Sequence, residues 1–165
     1  MSPHAVKCLL SVMCTLAAAM SVMAQTTPTT PYGQNINLEN AKKAAAPALA
    51  EARKNNWFMV VAIVDTAGDL VYYEKMDNTQ IASSQIAVAK ARSAVRYKRP
   101  TKAFQDAVAG GGAGLRILGL EGAVPLEGGF PIQDKDGKII GAIGVSGDSS
   151  DHDAICAQAG LNALK

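Results

Sequence analysis

Cysteine is scarce: three residues in 165, too few for the disulfide framework of a small secreted scaffold. Two of them, Cys8 and Cys14, lie in an N-terminal stretch with the three-part form of a secretory signal. Lys7 stands at its start, an apolar run follows from Cys8 to Met20, and Val22-Met23-Ala24 offers a small-residue cleavage site. Cleavage before Gln25 also removes His4, which leaves Cys156 and His152 as the one cysteine and the one histidine. An intramolecular disulfide and a zinc site of the Cys/His type are thereby excluded. Long apolar runs are missing as well. The run in the signal is shorter than the roughly 20 residues of a spanning helix, and no later one is long enough, so no stable membrane insertion is expected once the signal is gone. An excess of one charge is also absent, with 16 Lys and Arg against 14 Asp and Glu. Such a surface has no electrostatic footprint for nucleic acid. The expected organisation is a signal peptide over residues 1–24, a Thr- and Pro-rich flexible linker over 25–35 and a single domain over 36–165. The expected location is the periplasm or the exterior.

What is present reads as alternating helices and hairpins. Asn37 is placed to cap a helix from Leu38 to about Asn55, with Leu38, Ala41, Ala45, Ala48, Leu49 and Ala52 as its apolar stripe and Pro47 as a kink position. Trp57–Val64 and Leu70–Lys75 are β-prone runs separated by a Thr66-Ala67-Gly68-Asp69 turn. A second helix is expected over Gln80–Arg96 and a short third from Thr101 to about Val108. Gly110–Gly114 reads as a flexible break, either a hinge or a ligand-closing loop, and Ala123–Leu126 as an edge strand tolerant of Pro125. A second hairpin runs through Gly128–Ile132, the Asp134-Lys135-Asp136-Gly137 turn and the Gly-rich strand Ile139–Gly147. One face of that strand, Ile140, Ala142, Gly144 and Ser146, dwindles to small residues, as happens where a helix, another subunit or a ligand meets the backbone. Ser149 or Ser150 then caps a last helix to about Leu164, with Asp153 completing a capping-box pattern. Two hairpins separated by helices indicate an α/β (α+β) fold with a mostly antiparallel sheet.

No familiar motif is complete. Gly144-Val145-Ser146-Gly147 departs from the nucleophile elbow at Asp148. Asp134–Gly137 lacks the acidic positions of a calcium loop, and Gly110–Gly114 lacks the G-x-G-x-x-G spacing. Binding chemistry is nevertheless available. The start of the last helix, with Gly129, Gly144 and Ser146 nearby, orients amides toward an anion. His152 in its first turn is either a metal ligand or a solvent-exposed histidine. Lys90 and Arg92 can face an anionic ligand or solvent, while Tyr72, Tyr73, Met76 and Tyr97 can line a planar ligand or belong to core and rim. Asp65, Asp77, Lys90 and Asp148 are the acid-base candidates should the protein be an enzyme.

Several of these segments together resemble a known family. Val64-Asp65-Thr66-Ala67-Gly68-Asp69-Leu70, Lys75-Met76-Asp77, Ser84-x-Ile86-Ala87-x-x-Lys90-Ala91, Gly128-Gly129-x-Pro131-Ile132 and Gly141–Gly147 are similar to the GlcG/HbpS family. That family includes the C-terminal domain of PduO-type proteins, and the likeness runs from about Asn37 to Leu164. The resemblance implies a profilin-like three-layer α/β/α domain with a five-stranded, mostly antiparallel sheet, and a homo-oligomer, commonly an octamer. It also implies a small-molecule ligand, haem or an iron-related group. In some members a histidine near the first helix is implicated in haem ligation. Residues 25–56 contain none here, so His152, a Tyr or a Met must substitute. The alternative is an enzyme, a lyase, hydrolase or isomerase, acting on a small organic acid or aromatic catabolite.

Overall fold

The computed structural model describes residues 30–165. The expected signal peptide, and the expected linker as far as residue 29, lie outside the described residues. Asn37 caps helix α1 (Leu38–Lys54), its side chain accepting the Asn40 N–H at 2.8 Å. The alanine stripe is buried and gains Ala44, whereas Leu38, in the first turn before the helix reaches the sheet, stays exposed. Next come strands β1 (Val60–Val64) and β2 (Leu70–Lys75), helices α2 (Ser83–Tyr97) and α3 (Lys102–Ala109), and a 3₁₀ helix (Gly112–Gly119). Strands β3 (Gly129–Gln133) and β4 (Ile139–Ser146) and helix α4 (Ser150–Asn162) complete the described chain. The glycine cluster is therefore not a loose break: from Gly112 it forms the 3₁₀ helix.

The sheet runs in the order β2-β1-β4-β3 with every neighbouring pair antiparallel. Among the described residues it has four strands rather than five. Ala123–Leu126 joins no ladder, because Pro125 has no donor and the Val124 N–H is taken by Ser93 Oγ of α2 at 3.0 Å. Where β1 stops pairing with β4, the segment after Pro31 takes its place. The Gly33 N–H donates to the Ile139 carbonyl at 2.7 Å and the Ile36 N–H to that of Ile140 at 2.8 Å.

Period-two alternation builds the layers. Val61, Ile63, Ile143 and Val145 face α1 and α4, where Ala48, Leu49, Cys156 and Ala157 close one core. Val60, Ala62, Val64 and Ala142 face α2, meeting Ala87, Ala91, Ala94 and Val95. A strand covered on both faces must be apolar throughout, which is why β1 is an unbroken hydrophobic run. Burial pushes the Cys156 thiol up to about 12, so it behaves as a small apolar core residue.

The emptied face of β4 is filled by α2. A Cβ at Gly144 would stand 2.1 Å from the Ala87 carbonyl oxygen and 2.6 Å from the Ala91 nitrogen. Helix and strand touch backbone to backbone there. Gly144→Ala must push them apart and is expected to lower stability by about 2–3 kcal/mol, read as a drop in the urea midpoint at unchanged slope.

Candidate functional site

Lys90 of α2 and Asp153 of α4 belong to opposite layers, yet they meet past the end of β4. Lys90 Nζ donates to Asp153 Oδ2 at 2.6 Å and to the Val145 carbonyl at 3.1 Å. Their side chains are 1% and 3% exposed, so the pair is sealed from water. Gly128, at φ +117, makes the junction possible: a Cβ there would lie 3.0 Å from Lys90 Nζ and 2.8 Å from Asp153 Cβ. Burial pulls Lys90 below the ordinary lysine value against the attraction of Asp153, and the same burial raises Asp153 against the attraction of Lys90. Asp153 therefore turns inward rather than serving a capping box. Ser149 supplies the cap, accepting the His152 N–H at 3.3 Å. The anionic partner of Lys90 is part of the protein.

The other residues singled out above are dispersed. The His152 ring stacks on Trp57 at 3.8 Å and 13°, and its Nδ1 lies 2.9 Å from Asp148 Oδ1. The Ser149 N–H, then His152, hold the Asp148 carboxyl below the usual range. Met76 packs against the core on the α1 side. The Tyr97 hydroxyl donates to the Glu121 carbonyl at 2.7 Å while its ring meets Phe104 edge-on. The Gly129 N–H donates to Thr101 Oγ1 at 3.0 Å, and Ser146 Oγ to Ser83 Oγ at 3.3 Å. Asp65 holds its turn, accepting from the Ala67 and Asp69 N–H groups at 2.9 and 3.0 Å. Asp77 lines a separate surface hollow with Arg53 and Glu74. The Asp65 and Asp77 carboxyls thus lie apart from Lys90, and Asp148 meets the Lys90–Asp153 pair only through its main chain, its N–H donating to Asp153 Oδ1 at 3.4 Å. Among the described residues, no three His, Cys, Asp or Glu side chains group as a metal site.

A cavity of about 570 Å³ lies elsewhere, between β2 and α2. Tyr73 pairs with Ala62 in the β1–β2 ladder and so points toward α2. Tyr73 and Leu70 form one wall, with Ser84, Gln85, Val88 and Ala89 of α2 opposite and Gly122 and Val124 beyond. The cavity exists because β2 is an edge strand, so that α2, seated on β1 and β4, leaves the strand's outer face uncovered. Arg92 and Arg96, one helical turn apart on one face of α2, stand in its wall. They also line a smaller neighbouring cavity of about 350 Å³ beside Thr66–Asp69, where Arg92 Nε donates to the Gly68 carbonyl at 2.9 Å. Neither guanidinium forms a salt bridge among the described residues. An open apolar cavity with two guanidiniums free of salt bridges in its wall suits an apolar ligand that carries anionic groups. Tyr73 and Arg92 were legible as ligand-facing candidates; Arg96 was not, although its i, i+4 spacing from Arg92 was a usable signal.

Comparison with known proteins agrees with the fold. The family described as "Haem degrading protein HbpS-like" matches residues 36–162. Protein GlcG of Escherichia coli strain K12 is 35% identical over 111 residues, covering 67% of this chain and 81% of that protein. The crystal structure of HbpS superposes with a TM-score of 0.73 at 30% identity, covering 81% of this chain and 92% of that one. A crystal structure of a PduOC:heme complex superposes with a TM-score of 0.71 at 28% identity, covering 79% and 96%.

Proposed function

The chain belongs to the HbpS-like family, and from that membership we propose that it is an extracytoplasmic binding protein for haem, held in the cavity between β2 and α2. The observation that carries this reading is the combination of an apolar chamber of about 570 Å³ with Arg92 and Arg96 in its wall. The size lies within the ~300–1,000 Å³ range of small-molecule and cofactor sites. Val88, Ala89 and Leu70 offer apolar contact to a macrocycle, and the two guanidiniums offer charge-assisted hydrogen bonds to its propionates. The heme complex of the structural neighbour PduOC supports the choice of ligand. When bound, haem supplies an iron centre able to take axial ligands. What this chain supplies is an apolar wall and two anchoring cations.

Export rests on the signal-like stretch 1–24, and cleavage before Gln25 would appear as that N-terminus in the mature protein's mass. Self-association into a homo-oligomer, an octamer by the resemblance, is part of this reading, and the edge strand β2 offers it an unpaired sheet edge among the described residues.

The reading is tested by titrating the mature protein with haemin and following the Soret band. Saturable binding at one haemin per chain is expected, whereas non-saturable adsorption counts against it. His152→Ala is expected to leave the bound spectrum unchanged, because that ring is stacked on Trp57 and does not line the cavity.

A further inference from the structure

The four tyrosines are not equivalent. Tyr32 donates its hydroxyl to the Val95 carbonyl at 2.8 Å, Tyr72 to Glu74 at 2.5 Å and Tyr97 to the Glu121 carbonyl at 2.7 Å. Tyr73 alone has no hydrogen-bond partner for its hydroxyl among the described residues, although it stands in the cavity wall with Arg92 and Arg96. Tyr73 is 38% exposed, so its hydroxyl meets solvent rather than a protein group and is free to exchange that water for a ligand held in the cavity. Among the described residues, no His, Cys or Met lines this cavity. The alternatives elsewhere are committed: His152 to Trp57 and Asp148, Met76 to the core against α1.

We propose that Tyr73 is the axial ligand of ferric haem in this cavity, an inference that rests on the haem reading above. Tyrosine is one of the side chains that hold haem iron in proteins. As the O–Fe bond forms, the phenolic proton passes to water and the chloride or water previously on the iron leaves. No electron is transferred. A phenolate is a hard anionic donor, so it favours the ferric over the ferrous state. Arg92 and Arg96 then act at the propionates and Tyr73 at the metal.

The test uses the mature protein and two probes, haemin and iron-free protoporphyrin IX, with the wild type and Tyr73→Phe. Phe keeps the ring and removes only the oxygen, and circular dichroism checks that the variant is folded. Wild-type haemin should show the absorption and resonance Raman signature of a ferric phenolate. Tyr73→Phe should lose that signature and bind haemin at least ~10-fold more weakly, while both proteins bind protoporphyrin IX equally. Saturable wild-type binding with a spectrum that Tyr73→Phe leaves unchanged overturns Tyr73 as ligand and leaves the haem reading standing. Equal weakening for haemin and protoporphyrin also overturns it, since a packing role would act on both. Absence of saturable haemin binding by the wild type overturns the haem reading itself.

Discussion

Replacing Lys90 with Met lowers stability by about 3–5 kcal/mol, the cost of leaving a buried carboxylate without its counter-charge. The expectation rests on Lys90 Nζ and Asp153 Oδ2 being 2.6 Å apart with side chains 1% and 3% exposed. Asp153→Ala, which strands the ammonium instead, is expected to cost a similar amount. The double variant Lys90→Met/Asp153→Ala should be less destabilised than either single one, because it removes the two desolvated charges together. Chemical denaturation of the four proteins closes the cycle, and simple additivity would show that the pair is not coupled.

The same pair sets a pH dependence. For Asp153 the folded value is raised, so the native state keeps its proton to higher pH and stability falls as pH rises from the ordinary carboxylate range through that raised value. For Lys90 the folded value is lowered, so stability recovers as pH rises from there to the ordinary lysine value of about 10.4. Relative to the double variant, the wild type should therefore be least favoured between these windows and gain toward either end. A buried ion pair of this kind adds little to net stability, but it fixes how α2 and α4 meet around Gly128.

If haem occupies this cavity, Arg92→Gln/Arg96→Gln is expected to weaken haemin binding by roughly 30-fold. Both guanidiniums are exposed, so each charged contact is valued at about 1 kcal/mol after solvent screening, and 1.4 kcal/mol is tenfold in affinity. Isothermal titration at low and high salt checks the origin of the effect. The wild type should lose affinity as salt rises, and the double variant should be nearly insensitive. Affinity unchanged by the double substitution would place the carboxylates elsewhere. Because Arg92 also holds the Gly68 carbonyl, Arg96→Gln alone provides a control free of that loop contact.

Elements set by neighbouring residues were legible in the sequence. Asn37 caps α1, the Asp134–Gly137 turn joins β3 to β4, and β2 begins at Leu70 and ends at Lys75, all through short-range chemistry. The features that decide the site were not, because they depend on where layers meet. Lys90 and Asp153 are 63 residues apart, and nothing local distinguishes Lys90 from a solvated helix lysine until Gly128 is seen to leave room for it. Gly144 was readable as a place where something approaches the backbone, but not that the visitor is α2. Ala123–Leu126 has the composition of an edge strand, yet Ser93 takes a donor that a ladder would need. The cavity is written in no single segment. It is the gap left where α2 sits over β1 and β4 and the edge strand β2 stays uncovered, so Tyr73, Val88 and Arg96 become neighbours only in the fold.

The most direct test of this cavity as the haem site is the haemin titration repeated on Ala89→Trp beside the wild type. Ala89 lines the chamber without facing the buried core of α2, so an indole there fills the chamber while the fold is retained. Saturable binding by the wild type and its loss in Ala89→Trp is the predicted result. Equal haemin affinity in the two proteins would contradict it.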